Sequence, residues 1–172
     1  MQSHLQNPLI KNWKVNLIMD ISDSNRFYQA VDTLLEQVIS RLDVDAAALS
    51  LVNINSPQLI FCRGCGFYQG TINNKPFHSW KGLICRVIHK RDIVSVPNIW
   101  TESSALVRGV QFKQEGFISY RGIPLAIEGK TLGVLEVFHR QETITESAWY
   151  SLLRVMAEQA SRVIENASLD GK

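Results

Sequence analysis

Residues 116–140 read GFISYRGIPLAIEGKTLGVLEVFHR. Two long apolar runs flank Glu128-Gly129-Lys130, a tripeptide suited to a tight turn, so the stretch predicts a hairpin of two long strands. In the second run both parities are apolar. Val134 and Phe138 fall on one face, Leu135 and Val137 on the other. A strand apolar on both faces must be covered on both faces. The rest of the chain therefore has to supply two covers.

Upstream, Phe27, Val31, Leu34, Leu35, Val38, Ile39 and Leu42 mark an amphipathic helix behind an N-cap at Asp23 or Ser24. Before it, Leu5, Leu9, Trp13 and Leu17 stand four apart, which predicts a separate linker helix within residues 1–22. A strand follows from Ala46 to Asn53. The turn Asn55-Ser56-Pro57 and the run LIFCRGCGF at 59–67 complete a first hairpin. Residues 67–79 are irregular. From Ser79 to Arg91, Leu83, Ile84, Val87 and Ile88 repeat at helical spacing. DIVSV at 92–96 is a short strand closed by Pro97. Ser103 or Ser104 caps a short helix through Ala105, Val107, Phe112 and Lys113, with Gly116 at its end.

The last helix spans Glu146 to Leu169. Trp149, Leu153, Met156, Ala160, Val163 and Ala167 form a heptad-like seam along it. Leu152, Val155, Gln159 and Ile164 lie beside the seam, giving two apolar faces, one for the sheet and one for a second helix or a second chain. Residues 170–172 are a short tail. This order predicts an α+β domain with a mostly antiparallel sheet of five to six strands. The terminal helices cover one face, and residues 67–116 cover the other. Loops and short helices over a sheet are a place for a small-molecule cavity.

Composition sets outer limits. The chain has 172 residues, 45% apolar and 20% charged, which suits one globular domain. Lysine plus arginine is 18 against 16 acidic residues, a net charge of +2, which argues against a nucleic-acid partner. No apolar run reaches the ~18–20 residues of a membrane span, and MQSHLQNPLIKNWKV has no signal-peptide core, so a soluble cytoplasmic location is expected. Cys62, Cys65 and Cys85 are an odd number of cysteines and suggest no disulfide framework. As a redox or zinc motif, Cys62-Arg63-Gly64-Cys65 needs both thiols on one side. Residues three apart on a regular strand face opposite ways unless Gly64 makes a bulge. His78, His89 and His139 are scattered. Arg86, His89, Lys90 and Arg91 read as a solvated helix end.

Five stretches, in order, carry a resemblance. Leu42–Leu51, LDVDAAALSL, is similar to L-x-A-D-A-a-x-I-x-L. Trp80–Val87, WKGLICRV, is similar to G-x-G-L-x-G-x-V. Gly116–Leu125, GFISYRGIPL, is similar to G-x-x-S-x-x-x-V-P-L, and GKTLGVLEVFHR at 129–140 to G-x-x-i-G-V-L-x-v-x-x-r. EQASRVIENASL at 158–169 is similar to Q-x-A-x-A-I-x-N-A-x-L. Together they resemble a GAF domain over residues 23–169. GVLEVFHR is similar to GAF domains beside histidine-kinase or HD-GYP phosphodiesterase output modules.

The resemblance implies a sensory fold, and the specialised chemistries of the family can be compared with these residues. Free methionine-sulfoxide reductases share the fold and carry G-x-G-V-C-G. Here Cys85 comes one position late and no cysteine follows it. Bilin-binding members place a Cys-His pair where Val107 and Arg108 stand. Of the cyclic-nucleotide motif, only the acid at Glu146 matches. What remains is a generic pocket lined by Phe67, Trp80, Ile84, Trp100, Val107, Phe112, Ser119 and Arg121, with no cofactor identified; the alternative is that these residues fill the core. The expectation is a non-enzymatic sensor binding an unidentified small molecule. It would dimerise through Trp149, Leu153, Met156, Ala160, Val163 and the N-terminal helix, and act on an output domain of a larger protein. A structural spacer with a filled pocket and a methionine-sulfoxide reductase are the alternatives.

Overall fold

The computed structural model describes residues 25–53, 58–68, 82–101 and 109–170. The linker helix expected within residues 1–22, together with Trp80 and Val107, lies outside the described residues.

Helix α1 (Asn25–Leu42) buries Phe27, Val31, Leu34, Leu35, Val38 and Leu42 along one stripe. Strands β1 (Ala46–Asn53) and β2 (Gln58–Cys65) form the first hairpin. Helix α2 (Leu83–Lys90) ends where Arg91, at φ 55°, turns left-handed and returns its N–H to the Val87 carbonyl. Strand β3 (Val94–Val96) and a 3-10 turn (Ile99–Thr101) lead on to helix α3 (Gly109–Glu115). Strands β4 (Ser119–Ile127) and β5 (Lys130–His139) are the second hairpin, and helix α4 (Ser147–Asp170) closes the domain. At the β4–β5 turn, Glu128 and Gly129 both take positive φ, 49° and 73°, the geometry that matches a hairpin's twist.

The sheet has five strands in the order β2-β1-β5-β4-β3. Each adjacent pair is antiparallel, so the expected α+β architecture is formed. The closing strand lies in the middle, paired on both edges. β1 approaches so closely that a Cβ at Gly133 would lie 2.2 Å from the Ser50 carbonyl oxygen. That contact is with backbone, so only glycine fits.

Parity divides the core. Ala47, Leu49 and Leu51 of β1, Leu135 and Val137 of β5, and Ile123 and Leu125 of β4 meet α1 and α4. Ala46, Ala48, Val134, Phe138 and Tyr120 face the other way, under Leu83 and Val87 of α2, Phe112 of α3, Ile99 and Phe117. The first cover is thus two long helices, and the second is made of short pieces.

The heptad-like seam of α4 has a different partner from the one expected. Leu153, Met156 and Ala160 are fully buried, and Trp149 and Val163 are half-buried against the chain's own core. The indole Nε1 of Trp149 donates to the Leu42 carbonyl at 2.9 Å, tying the start of α4 to the end of α1. The apolar stripe of α1 and the helix face of the sheet make one continuous trough, and the seam fills it. Leu153, Met156 and Ala160 are therefore unavailable to a second chain, while Trp149 and Val163 keep part of their surface. Of the flanking positions, Ile164 joins the core, Leu152 is half-buried, and Val155 is left 44% exposed.

Leu153→Ala should lower stability by about 2–5 kcal/mol in urea denaturation, the range for truncating a buried leucine. Val155→Ala should cost less than about 1 kcal/mol. Equal losses would place the seam elsewhere.

Candidate functional site

The face under the short elements has an unusual floor. Glu136 of β5 is fully buried there, with Ala48 of β1 and Gly122 of β4 as its neighbours in register. Ser50, also fully buried, lies diagonally beyond it, opposite Val134. Small residues flank the carboxylate on both neighbouring strands. At Gly122 a Cβ would meet the Tyr120 hydroxyl at 2.4 Å and Val87 at 2.6 Å. Glycine there lets the phenol fold across its own strand beneath α2.

One end of this face is packed with rings. Phe138 stacks on Phe117 with centroids 4.7 Å apart. Phe67, Phe112 and Tyr120 surround it at 5.6, 5.6 and 5.5 Å in tilted or edge-on contact, geometries that aromatic quadrupoles favour. Apolar packing thus grades along β5 from Phe138 to the polar pair Glu136 and Ser50.

Of the pocket residues expected from sequence, Phe67, Ile84 and Phe112 come together on this face. Trp100 sits at the end of the sheet, 44% exposed, its indole N–H donating to the Phe117 carbonyl at 3.1 Å. Ser119 and Arg121 are elsewhere. Tyr120 and Gly122 occupy the covered face, so strand alternation sends Ser119 and Arg121 to the helix face. Glu136 and Ser50 were missed. Their signal is a lone carboxylate and a lone hydroxyl in otherwise apolar runs, with the parity of Val134 and Phe138.

On the helix face Arg121 is 1% exposed. Its Nη1 donates to Ser119 Oγ at 2.9 Å and Thr143 Oγ1 at 2.7 Å, and lies 3.2 Å from His139 Nδ1. Its Nη2 donates to the Thr143 carbonyl at 2.8 Å. The guanidinium also stands over the Trp149 ring, 5.6 Å from its centroid. Burial, and next the Arg121 charge, hold His139 below the ordinary histidine range.

A second arginine joins the segments that cover the other face. Arg140 donates from its backbone N–H to Asp45 Oδ2 at 2.7 Å. Its side chain donates to the carbonyls of Glu115 at 2.9 Å and Gly66 at 3.0 Å, and meets the buried Glu115 carboxylate at 3.3 Å. It lies 3.7 Å from the centroid of Tyr68, whose backbone N–H donates to that same carboxylate at 2.8 Å. The chain leaving β2 and the chain entering β4 are thus fastened at one point.

Cys65 and Cys85 do not converge. Cys65 packs on the helix-face core, while Cys85 belongs to α2 above the opposite face, so the sheet separates them. Burial pushes both thiols up, and Glu36 adds to this at Cys65, away from the thiolate a nucleophile needs. Cys85 Sγ lies 3.1 Å from His89 Nδ1 on the same helix. Cys62 and Cys65 pair with Ser50 and Ala47 in unbroken register, so no bulge at Gly64 brings them to one parity. Among the described residues no group of three His, Cys, Asp or Glu side chains is placed to hold a metal ion.

A family profile described as the GAF domain matches residues 27–164. The chain belongs to the GAF family. Similar solved structures include the GAF domain of an Acinetobacter phosphoenolpyruvate-protein phosphotransferase. It has 21% identity and a TM-score of 0.70, with 99% of each chain covered. The GAF domain of a two-component sensor histidine kinase from Bacillus halodurans has 16% identity and a TM-score of 0.64, over 82% of this chain and 97% of that one. The free methionine-R-sulfoxide reductase from Neisseria meningitidis, solved with its substrate, has 15% identity and a TM-score of 0.66, over 91% and 87%. At these identities the likeness is one of fold. No curated protein sequence matches the chain. No helix among the described residues of this GAF domain is long and apolar enough to cross a membrane.

Arg140→Ala leaves the buried Glu115 carboxylate without its guanidinium, and should cost about 2–4 kcal/mol in urea denaturation. Arg140→Lys should recover less than half of that, because an ammonium cannot reproduce the forked hydrogen bonds or the stacking on Tyr68. A loss below ~1 kcal/mol for the alanine variant would remove the junction from the account.

Proposed function

We propose that this GAF domain is a non-enzymatic sensory and regulatory module of a larger, cytoplasmic signal-transduction protein. It binds a small molecule on the covered face of the sheet and passes its state through α4 to an output domain. The observation that carries this reading is Glu136. A fully buried carboxylate between Ala48 and Gly122, with the buried Ser50 diagonal to it, makes this stretch of the face polar where a merely filled core would be apolar. A ligand with hydrogen-bond donors suits it. The mechanism is population shift: the ligand favours one arrangement of the covering segments, whose ends meet at Arg140. The fold likeness to a sensor histidine kinase's GAF domain fits a two-component setting.

The spacer reading has its own support in the rings around Phe138, which pack that end of the face as a core. The reductase reading has less, because Cys65 and Cys85 lie on opposite sides of the sheet. Pairing with a second copy falls to the outward face of α4. There Val155 is exposed beside half-buried Leu152, and Arg154, Glu158, Arg162 and Glu165 alternate in sign along the helix, a pattern that can match its own copy.

Native mass spectrometry of the protein as purified should show an added mass that disappears on denaturation. No added mass, with no thermal shift across a metabolite library, would favour the spacer. In sedimentation the protein should run as a dimer and Val155→Glu as a monomer. A wild type that stays monomeric at every concentration would end the dimer reading.

A further inference from the structure

The connection between β5 and α4, residues 140–146, is held in an uncommon way. Ile144 is fully exposed, so no apolar anchor fixes its middle. The connection is held by hydrogen bonds. Asn98 Nδ2 donates to Glu142 Oε1 at 2.9 Å, and Ser119 Oγ donates to the Gln141 carbonyl at 3.3 Å. Arg121 gives Thr143 two bonds, at 2.7 and 2.8 Å. The last two come from a guanidinium that is 1% exposed and whose Nε has no hydrogen-bond partner among the described residues. A buried cation held mainly by neutral oxygens is poised rather than locked.

His139 makes this hold depend on protons. Arginine has no acceptor, so the 3.2 Å contact between Arg121 Nη1 and His139 Nδ1 is a hydrogen bond only while Nδ1 is bare. The ring's other partner is the Asp43 backbone. Protonation turns Nδ1 into a donor and sets two cations against each other inside the domain. The groups facing His139 among the described residues are Arg121 from β4, Trp149 from α4 at 6.2 Å between centroids, and Asp43 and Asp45 from the turn between α1 and β1. Arg121 is in turn faced by the Tyr150 hydroxyl of α4, to which it hydrogen-bonds. The two aspartates favour the imidazolium. Asp45, however, is already engaged by the Arg140 backbone N–H at 2.7 Å and guanidinium at 3.7 Å.

We propose that Arg121, His139 and Thr143 form a proton-operated latch on the strand-to-helix connection: neutral His139 keeps Arg121 on Thr143, and protonated His139 displaces Arg121 and frees the start of α4. Arg121 and His139 are positioning residues here. The latch stands on its own local geometry; its use as a second input to the output helix rests on the sensory reading. The direction follows from linkage. The folded form takes up this proton less readily than the unfolded chain, whose histidine titrates near 6.5. The latch's contribution is therefore complete above that range and declines as the pH falls through it.

The test is hydrogen exchange of residues 140–150 in the full chain, expressed as protection factors at about pH 7.5 and about pH 5, either side of the histidine range. Wild type should lose protection there by about tenfold or more, with α1 and β1 unchanged, as one protonation linked to one opening implies. His139→Asn keeps an acceptor and cannot titrate, so it should show no loss. Wild-type protection that ignores pH, or an equal loss in His139→Asn, overturns the latch. If His139→Asn does not fold, NMR of the wild type decides. The His139 ring, the Thr143 amide and the Trp149 indole should shift with one midpoint, and a His139 that titrates alone overturns the proposal. Neither readout uses a ligand, so failure of the latch and failure of ligand binding are distinguishable.

Discussion

From Gly133 to His139, every residue of β5 is buried. Both edges of the strand are paired and both faces are covered. Burying a large apolar side chain is worth about 1.5–3 kcal/mol, so Val134, Leu135, Val137 and Phe138 are a large share of what makes folding favourable. Each face then demands a cover of a different kind. α1 and α4 meet Leu135 and Val137 with apolar stripes. On the other face short elements meet Val134 and Phe138, and between those two stands a carboxylate.

Much of this was legible in the residues themselves. The double parity of GVLEVFHR announces a covered central strand, and the turn at 128–130 announces its hairpin. The order of elements then leaves few topologies, and the expected architecture is the one formed. Boundaries moved where local signals were weak. The helix expected from Ser79 begins at Leu83, behind Gly82 at φ 98°, a backbone angle that fits glycine and not a helical turn.

The site was less legible, for two physical reasons. A heptad-like spacing says that a helix has a narrow apolar seam but not what fills the groove opposite. Trp149, Leu153, Met156, Ala160 and Val163 find that groove inside their own chain, between α1 and the sheet. Alternation, in turn, outranks chemistry on a strand. Ser119 and Arg121 are the polar groups of β4, and a polar group invites assignment to a pocket. Tyr120 and Gly122 hold that parity instead, and the arginine serves the helix connection. The same rule applied to β5 would have found Glu136. What ties the two faces together is the end of β5. His139 and Arg140 are consecutive, one touching the hold on α4 and the other fastening the segments over the second face.

β5 is the structural spine of the domain, and its pairing and double cover persist until the whole domain opens. Native-state hydrogen exchange measures this directly. The amides of residues 134–138 should be among the slowest in the chain, with an opening free energy equal to that of global unfolding and a denaturant dependence to match. Exchange of these amides at a lower free energy than those of α1 would mean that the strand can open locally while the helices remain folded, and would contradict the account.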